Sequence, residues 1–489
     1  MINKTHKLAK VKTPTANEWT EVKMNTVFPG ISSDYFSVSI EKISGNIIAV
    51  DKLVIQYADK KPVFPYDPVR AIDKHWYKNG GHQGPIRNSL IWGENLNNVT
   101  ISGEGMINGE NLSRKDLNLP PWDDPYWSNQ DSWEDYPNQG VLGVGDKAIA
   151  LRECINATIR DITIFSGGHY SILPVGCDSL LIENVTIDTH RDGIDITCCK
   201  NFIIRNCKVN AQSDDAICLK SSLVMGKRVP CEKGLIENCF VSGYKKGTYL
   251  NGKKQPLNSS GKIGNGRIKF GTESEGGFRN IAIKNIVFEH CYGLAIEEVD
   301  GGLIENIVVD GITMKKIRQY GIYITTGTRY RSPKAPGRIT SKIKGVTIRN
   351  VTIEDCSAES GIQIHGLPDE PLEGITLENI TLLAVGGGTA SDAQLTPKEL
   401  GGGYPEPKNL GRMPSYGLYV RHVKGATFKN IKFSTKEKDM RPAVIVKNVQ
   451  QIKFDSINVQ GNVDVEQYET RGTVKKVQIT NSPALEYQK

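Results

Sequence analysis

Two short acidic turns are the residues of this 489-residue chain best suited to chemistry: His190-Arg191-Asp192-Gly193-Ile194-Asp195 and Ser213-Asp214-Asp215-Ala216-Ile217. Asp192 and Asp214 are 22 residues apart (214 − 192). Carboxylates held within a few ångströms raise one another's pKa and destabilise a fold. Such clusters persist where they bind a cation or do acid–base work. Hydrolysis of a glycosidic bond needs a protonated acid for the leaving oxygen and an ionised base for water. An isolated pair such as Asp123-Asp124 carries no such weight, because turn chemistry accounts for it. The trio gains its meaning only if 22 residues is a structural period.

The chain does repeat with that period. The phrase apolar-x-Asn-apolar-x-apolar occurs at Asn184, Asn206, Asn238, Asn285, Asn306, Asn350, Asn379 and Asn430, and Asp161 holds the same place one unit earlier. Several steps are 21 to 23 residues, while 44 (350 − 306) and 47 (285 − 238) read as two units each. Periods of this size mark solenoids or similar arrays. Each unit is rich in Ile, Val and Thr with alternating polarity and Gly/Asn/Asp punctuation, the pattern of short strands. Leu at fixed positions and a helix per unit, as in a leucine-rich repeat, are absent. The expectation is an all-β parallel β-helix with one coil per unit and coils about 4.8 Å apart. Asp192 then stands beside Asp214 and Asp215 on one face.

The repeat also offers plain explanations for other series. Asn at each corner forms a ladder, and the NxT sequons such as Asn98-Val-Thr and Asn184-Val-Thr are mostly ladder positions. Cys154, Cys177, Cys199, Cys218 and Cys239 step by 23, 22, 19 and 21 and are read as one interior stack, with disulfides possible but not required. The ten Cys include no C-x-x-C pair, so a zinc ribbon has no support. No metal and no cofactor is called for.

Residues 1–90 are less regular and are read as a cap on residues 91–489, the β-helix domain. Two insertions stand out: Pro120 to Pro137, with Trp122, Trp127 and Trp133, and Gly386 to Arg421. The aromatic one suits sugar stacking and suits local loop packing equally well. With 49 Gly and 23 Pro the chain is dense in turns, and its net charge of +7 is spread without a basic stripe. A nucleic-acid partner is therefore not expected, nor is a membrane span, since no stretch nears the roughly 20 apolar residues required. The start MINKTHKLAKVKTP lacks an apolar run and is not a signal peptide. A secreted or periplasmic monomer acting on a polysaccharide or oligosaccharide is the expectation.

Between about Ile91 and Val449 the chain resembles glycoside hydrolase family 28, the polygalacturonase and rhamnogalacturonan hydrolase family. The turns around Asp192 and Asp214-Asp215 match its Asn-Thr-Asp-Gly-x-Asp and Gly-Asp-Asp motifs, and Gly271 to Asn280 with Tyr404 to Val423 look like a bacterial branch. The resemblance implies a right-handed parallel β-helix and an inverting hydrolase of pectins. It gives Asp214 the role of general acid, with Asp192 and Asp215 activating water. Three departures stand out. The family's Gly-His-Gly falls on Gly264-Asn265-Gly266, replacing His by Asn265. Its Arg-Ile-Lys falls on Ala295-Ile296-Glu297, not on Arg267-Ile268-Lys269. Its usual Gly-rich opening is not seen. A downstream family Tyr matches Tyr330.

Other residues are open between two roles. His190 and Arg191 either touch substrate or form salt bridges at the turn. Lys220 either binds a sugar carboxylate or pairs with the acidic cluster. Lys269, Arg267, Arg329 and Arg331 are the cations available to replace the missing Arg and Lys. Glu297 is expected in the groove, and Glu298 and Asp300 in the groove or a solvated loop. His169 is expected to be packed. The expected acid–base separation is roughly 6.5–9.5 Å, the spacing of inverting enzymes, with Asp214 held protonated by its acidic neighbours. The competing readings are a β-helix lyase, with a Lys or Arg base and calcium on the aspartates, and a carbohydrate-binding β-helix without catalysis.

Overall fold

A computed structural model describes residues 38–40, 86, 89–109, 112, 147–331, 337–359 and 361–486. The insertion at Pro120 to Pro137, Asp123-Asp124 and nearly all of the expected cap lie outside these residues. The described strands pair in parallel throughout, and every coil hydrogen-bonds to the coils before and after it. This is a parallel β-helix, as the period implied.

The sequence phrase explains the corners. Asn184, Asn206 and Asn238 occupy equivalent positions, each following residues paired in register (Arg205 with Glu183 and with Glu237). Their φ values are +53°, +57° and +54°. This left-handed conformation is one that Asn adopts more readily than most side chains. The side chains form ladders across coils: Asn184 donates to Asp161 at 2.8 Å, and Asn379 to Asn350 at 3.1 Å. Asn306 is a correction to the single series. It pairs with Asn280, not Asn285, and belongs to a second ladder at the preceding corner.

Inside, Ile, Val, Leu and Phe from successive coils stack into one continuous core. All ten Cys are buried and free, but they do not form the one stack expected. Cys154, Cys177, Cys199 and Cys231 follow one interior line and Cys207 and Cys239 another, whereas Cys218 is in register with Asp195 and Lys269 on the outward-facing side of its sheet. The step of 19 from Cys199 to Cys218 was a coincidence between two different positions of the coil.

The sheet that matters for function contains Tyr170–Val175, Asp192–Thr197, Ile217–Ser221 and Ile268–Ser274 as consecutive strands. It continues through the ends of the long strands Phe278–Glu298 and Leu303–Thr326, then Ile362–His365 and the start of Leu418–Thr435. Among the described residues, two coils carry long excursions before re-entering this sheet. One spans residues 243–266. The other spans residues 385–417, so the second insertion ends before strand Leu418–Thr435 and not at Arg421.

Candidate active site

The acidic turns meet because of one extra residue. Where the coils enter the turn, Thr189 pairs with Ala211, a step of 22 (211 − 189). Where they leave it, Ile194 pairs with Ile217, a step of 23 (217 − 194). The Gly193 N–H donates to the Asp215 carbonyl at 3.0 Å and the Ser213 N–H to the His190 carbonyl at 2.9 Å. The extra residue therefore falls at Asp214-Asp215, and both carboxyls come opposite Asp192 as expected, with Asp214 also reaching Arg191 on the neighbouring coil. Gly193 is needed here, since a Cβ would lie 2.3 Å from Val209 Cγ1 and 2.4 Å from the Ala216 carbonyl oxygen.

One carboxylate oxygen from each of Asp192, Asp214 and Asp215 lies within 4.8 Å of the others. These are the nearest oxygens of the three, a different measure from the roughly 6.5–9.5 Å between the acid and base carboxyl groups of an inverting pair. Adjacent coils are only an inter-strand spacing apart, about 4.8 Å, which brings these oxygens close. A water used by the trio must bond to it from the open side. The same three oxygens are close enough to share a divalent cation.

The trio is not electrically uniform. Asp192 is 3 % exposed. Burial foremost, then Asp214, push its carboxyl well above the ordinary range against the opposing pull of Lys220. Burial also pushes on Asp214, but Arg191, Lys220, Lys269 and Arg267 outweigh it and hold this carboxyl below its usual value. Arg191 donates to Asp214 at 2.9 Å and also touches the His169 ring nitrogen at 2.9 Å. Arg191 and the other cations thus pull Asp214 toward the ionised form, opposite to the influence expected of its acidic neighbours, while burial and Asp214 push Asp192 toward the neutral form. Asp215 accepts from Arg267 at 2.6 Å.

The other expected residues divide. Lys220 pairs with Asp195 at 2.5 Å and lies 4.8 Å from the centre of the Tyr170 ring, while Thr197 also donates to Asp195. Lys269 stands between Glu297 at 3.5 Å and Asp215 at 3.8 Å. Glu297 is fully buried and faces Lys269; burial, only partly opposed by Lys269 and Arg267, raises its pKa to about 7. His190 meets Ser213 at 3.3 Å. Asn265 is anchored through its N–H to the Gln212 carbonyl, and its side-chain oxygen is buried without a hydrogen-bond partner. The Tyr330 N–H donates to the Val299 carbonyl and Arg338 lies over its ring at 4.5 Å. Its neighbours Arg329 and Arg331 pair with Asp300 and Glu273. Glu298 and Asp300 are buried rather than solvated.

Sequence reasoning missed Glu406, which receives two bonds from Arg267, at 2.5 and 3.3 Å. No period links residues 139 apart. It also passed over Asp195, although Asp195 lies three residues after Asp192 and so on the same strand. Tyr320, which accepts from Arg267 at 2.7 Å, was missed as well.

Residues 147–333 match the family model described as a right-handed beta helix region, which gives the hand of the coil. A Vitis vinifera protein named a probable polygalacturonase is 24 % identical over 307 residues, covering 60 % of this chain and 54 % of its own. An Aspergillus fumigatus protein named a probable endopolygalacturonase is 26 % identical over 223 residues, covering 43 % and 50 %. The chain thus spans about half the length of the curated relatives it matches. Among solved structures, an exopolygalacturonase of Thermotoga maritima aligns at 15 % identity and TM-score 0.42, over 76 % of this chain and 72 % of its own. A family 28 exopolygalacturonase of Yersinia enterocolitica aligns at 13 % and 0.44, over 80 % and 62 %.

Proposed function

We propose that this chain is an inverting glycoside hydrolase of family 28 acting on a pectin-type, uronic-acid-containing polysaccharide or oligosaccharide. One observation carries the reading: three carboxyls share one small site, and their surroundings push two of them apart in proton affinity. Asp192 is pushed toward the neutral form and Asp214 toward the ionised one. Pairs of titratable groups driven apart in this way identify acid and base roles. The polygalacturonase relatives supply the substrate class.

The resemblance assigns the acid role to Asp214. The charges of the substrate-free site favour Asp192 as the proton carrier, with Asp214 and Asp215 as the anions that orient and activate water. In either assignment the hydrolysis is the same: water adds to the anomeric carbon and gives one proton to an ionised carboxylate, the glycosidic C–O bond breaks, and the leaving oxygen takes the proton of the neutral carboxyl.

Unbranched homogalacturonan is not the preferred substrate in this reading. The cations around the site are already committed: Arg191 to Asp214, Lys220 to Asp195, Arg267 to Asp215 and Glu406, Lys269 to Glu297 and Asp215. A galacturonate carboxylate must break one of these pairs. Rhamnogalacturonan or a side-chain oligosaccharide, with a neutral or differently oriented sugar there, meets no such cost.

The test is product analysis on homogalacturonan and rhamnogalacturonan oligomers at equal concentration, with the anomeric configuration of the first product followed by proton NMR. Release of saturated sugars with inverted configuration, faster from rhamnogalacturonan, is expected. Ultraviolet-absorbing unsaturated products that vanish with chelator would establish a lyase, with the aspartates holding a cation. No cleavage of either polymer would leave a binding module.

A further inference from the structure

The outward face of the sheet that carries the aspartates changes character one coil after them. In the strands 192–197, 217–221 and 268–274 the outward column runs Asp195, Cys218, Lys269. It continues through Ala295, Tyr323, Gln363, Tyr419 and Ile445. These five residues are all at most 2 % exposed. Ala295, Tyr323, Tyr419 and Ile445 form an apolar cluster with Tyr320, Leu410 and Met413, with Leu400 packed against it. A sheet face on which a polymer could lie is instead covered by the excursion 385–417.

That cover is fastened at many points. Arg421 donates to the carbonyls of Pro397 and Lys398, Arg471 to those of Ala393 and Leu395, and Arg441 to that of Met413. The Thr328 N–H donates to Gly401 at 2.8 Å. Its tip reaches the site itself, through the chain Asp215–Arg267–Glu406. Tyr404, at the same tip, is 48 % exposed, with Lys269 and Arg329 5.5 and 5.8 Å from its ring centre.

We infer that residues 385–417 are an end wall: the groove is closed on the side of the later coils, and the chain removes sugar from the end of its substrate instead of cutting within it. This rests on the hydrolase reading above and deepens it. Coils are about 4.8 Å apart, and only the strand Ile268–Ser274 separates the aspartates from the wall. That leaves room for a short terminal piece of substrate on this side, with Tyr404 as an exposed ring against which its apolar face stacks. A polymer continuing past the scissile bond in this direction runs into Leu400, Leu410 and Met413.

The experiment compares, for the full chain acting on rhamnogalacturonan and homogalacturonan, the fall in viscosity with the rise in reducing ends, and follows end-labelled oligomers through time. Terminal release is expected: one short product from the first time point, and viscosity almost unchanged while reducing ends accumulate. A ladder of intermediate lengths with early loss of viscosity overturns the wall but leaves the hydrolase reading standing. No cleavage of any pectic substrate overturns the hydrolase reading, and the wall's function with it. A variant of the wall carries Leu400→Gly, Leu410→Gly and Met413→Gly, which leaves Tyr404 and the Arg267–Glu406 pair in place, with its fold checked by far-ultraviolet circular dichroism. A folded variant is expected to give internal products and a severalfold greater viscosity loss per bond cut. Unchanged terminal release from that folded variant overturns the inference; if it does not fold, the action pattern of the intact chain decides.

Discussion

Arg191 and Asp214 form an ion pair of 2.9 Å between neighbouring coils, and this contact draws the Asp214 carboxyl toward its charged form. Burial is the largest influence on Asp214 and acts to raise its pKa; Arg191 is the largest of those that reverse it. With Arg191→Gln the Asp214 carboxyl therefore becomes easier to protonate. If turnover needs Asp214 ionised, the acidic limb of the rate–pH profile moves to higher pH, by about one unit or more for a loss of roughly 1.4 kcal/mol. An acidic limb that stays in place while the basic limb moves would instead make Asp214 the proton donor.

The division of labour among the aspartates can be read independently with substrates of different leaving groups. Asp192→Asn, Asp214→Asn and Asp215→Asn should each cut turnover on a natural oligomer by orders of magnitude without loss of folding, since general acid–base catalysis alone contributes about 10²–10⁴. On an aryl glycoside whose leaving group needs no proton, the variant lacking only the acid recovers. The charges predict recovery for Asp192→Asn. Recovery for Asp214→Asn would restore the assignment implied by family resemblance, and near-full activity of Asp214→Asn on the natural oligomer would remove it from the mechanism.

The legible part of this site was the part written into the period. Asp192, Asp214 and Asp215 were brought to one face by counting residues, because a solenoid converts sequence spacing into position. What the count did not show is the extra residue at the turn, which sets both Asp214 and Asp215 opposite Asp192. No composition rule marks such an insertion. Charge state was less legible. Neighbouring acids alone suggested a protonated Asp214, but Arg191 is adjacent in sequence to Asp192 and its reach to the next coil appears only in three dimensions. Glu406 was invisible for a third reason: it belongs to an excursion outside the repeat, 139 residues from Arg267.

Glu297 holds Lys269 from the side opposite Asp215. Glu297→Gln removes the carboxylate that competes for this ammonium and leaves a side chain of similar shape. Lys269 is then available to a uronate. A hydrogen bond to a charged group contributes roughly 1.5–3 kcal/mol, so kcat/KM on homogalacturonan oligomers should rise about tenfold or more relative to rhamnogalacturonan. An unchanged ratio would show that Lys269 does not face the sugar's acidic group.

Glu275 gives a stability prediction away from the aspartates. It is 1 % exposed and neither carboxylate oxygen has a hydrogen-bond partner. Burial first, then Asp300 and Glu273, raise its pKa to about 8, with Arg331 opposing. Because the folded pKa lies above the unfolded value of about 4.3, the folded chain binds this proton more tightly than the unfolded one. Stability from this group is complete below the unfolded pKa and is lost as pH rises toward 8 and beyond. Glu275→Gln cannot ionise and escapes that loss. Its stability relative to the parent should therefore be lowest near pH 4 to 5 and climb by a few kcal/mol by pH 8.5, at about 1.4 kcal/mol per tenfold in proton affinity. Urea unfolding of both proteins across this range measures the difference directly. A pH-independent difference would mean that Glu275 is ionised throughout, and that Arg331 or Arg228 neutralises it more fully than the burial of its carboxyl suggests.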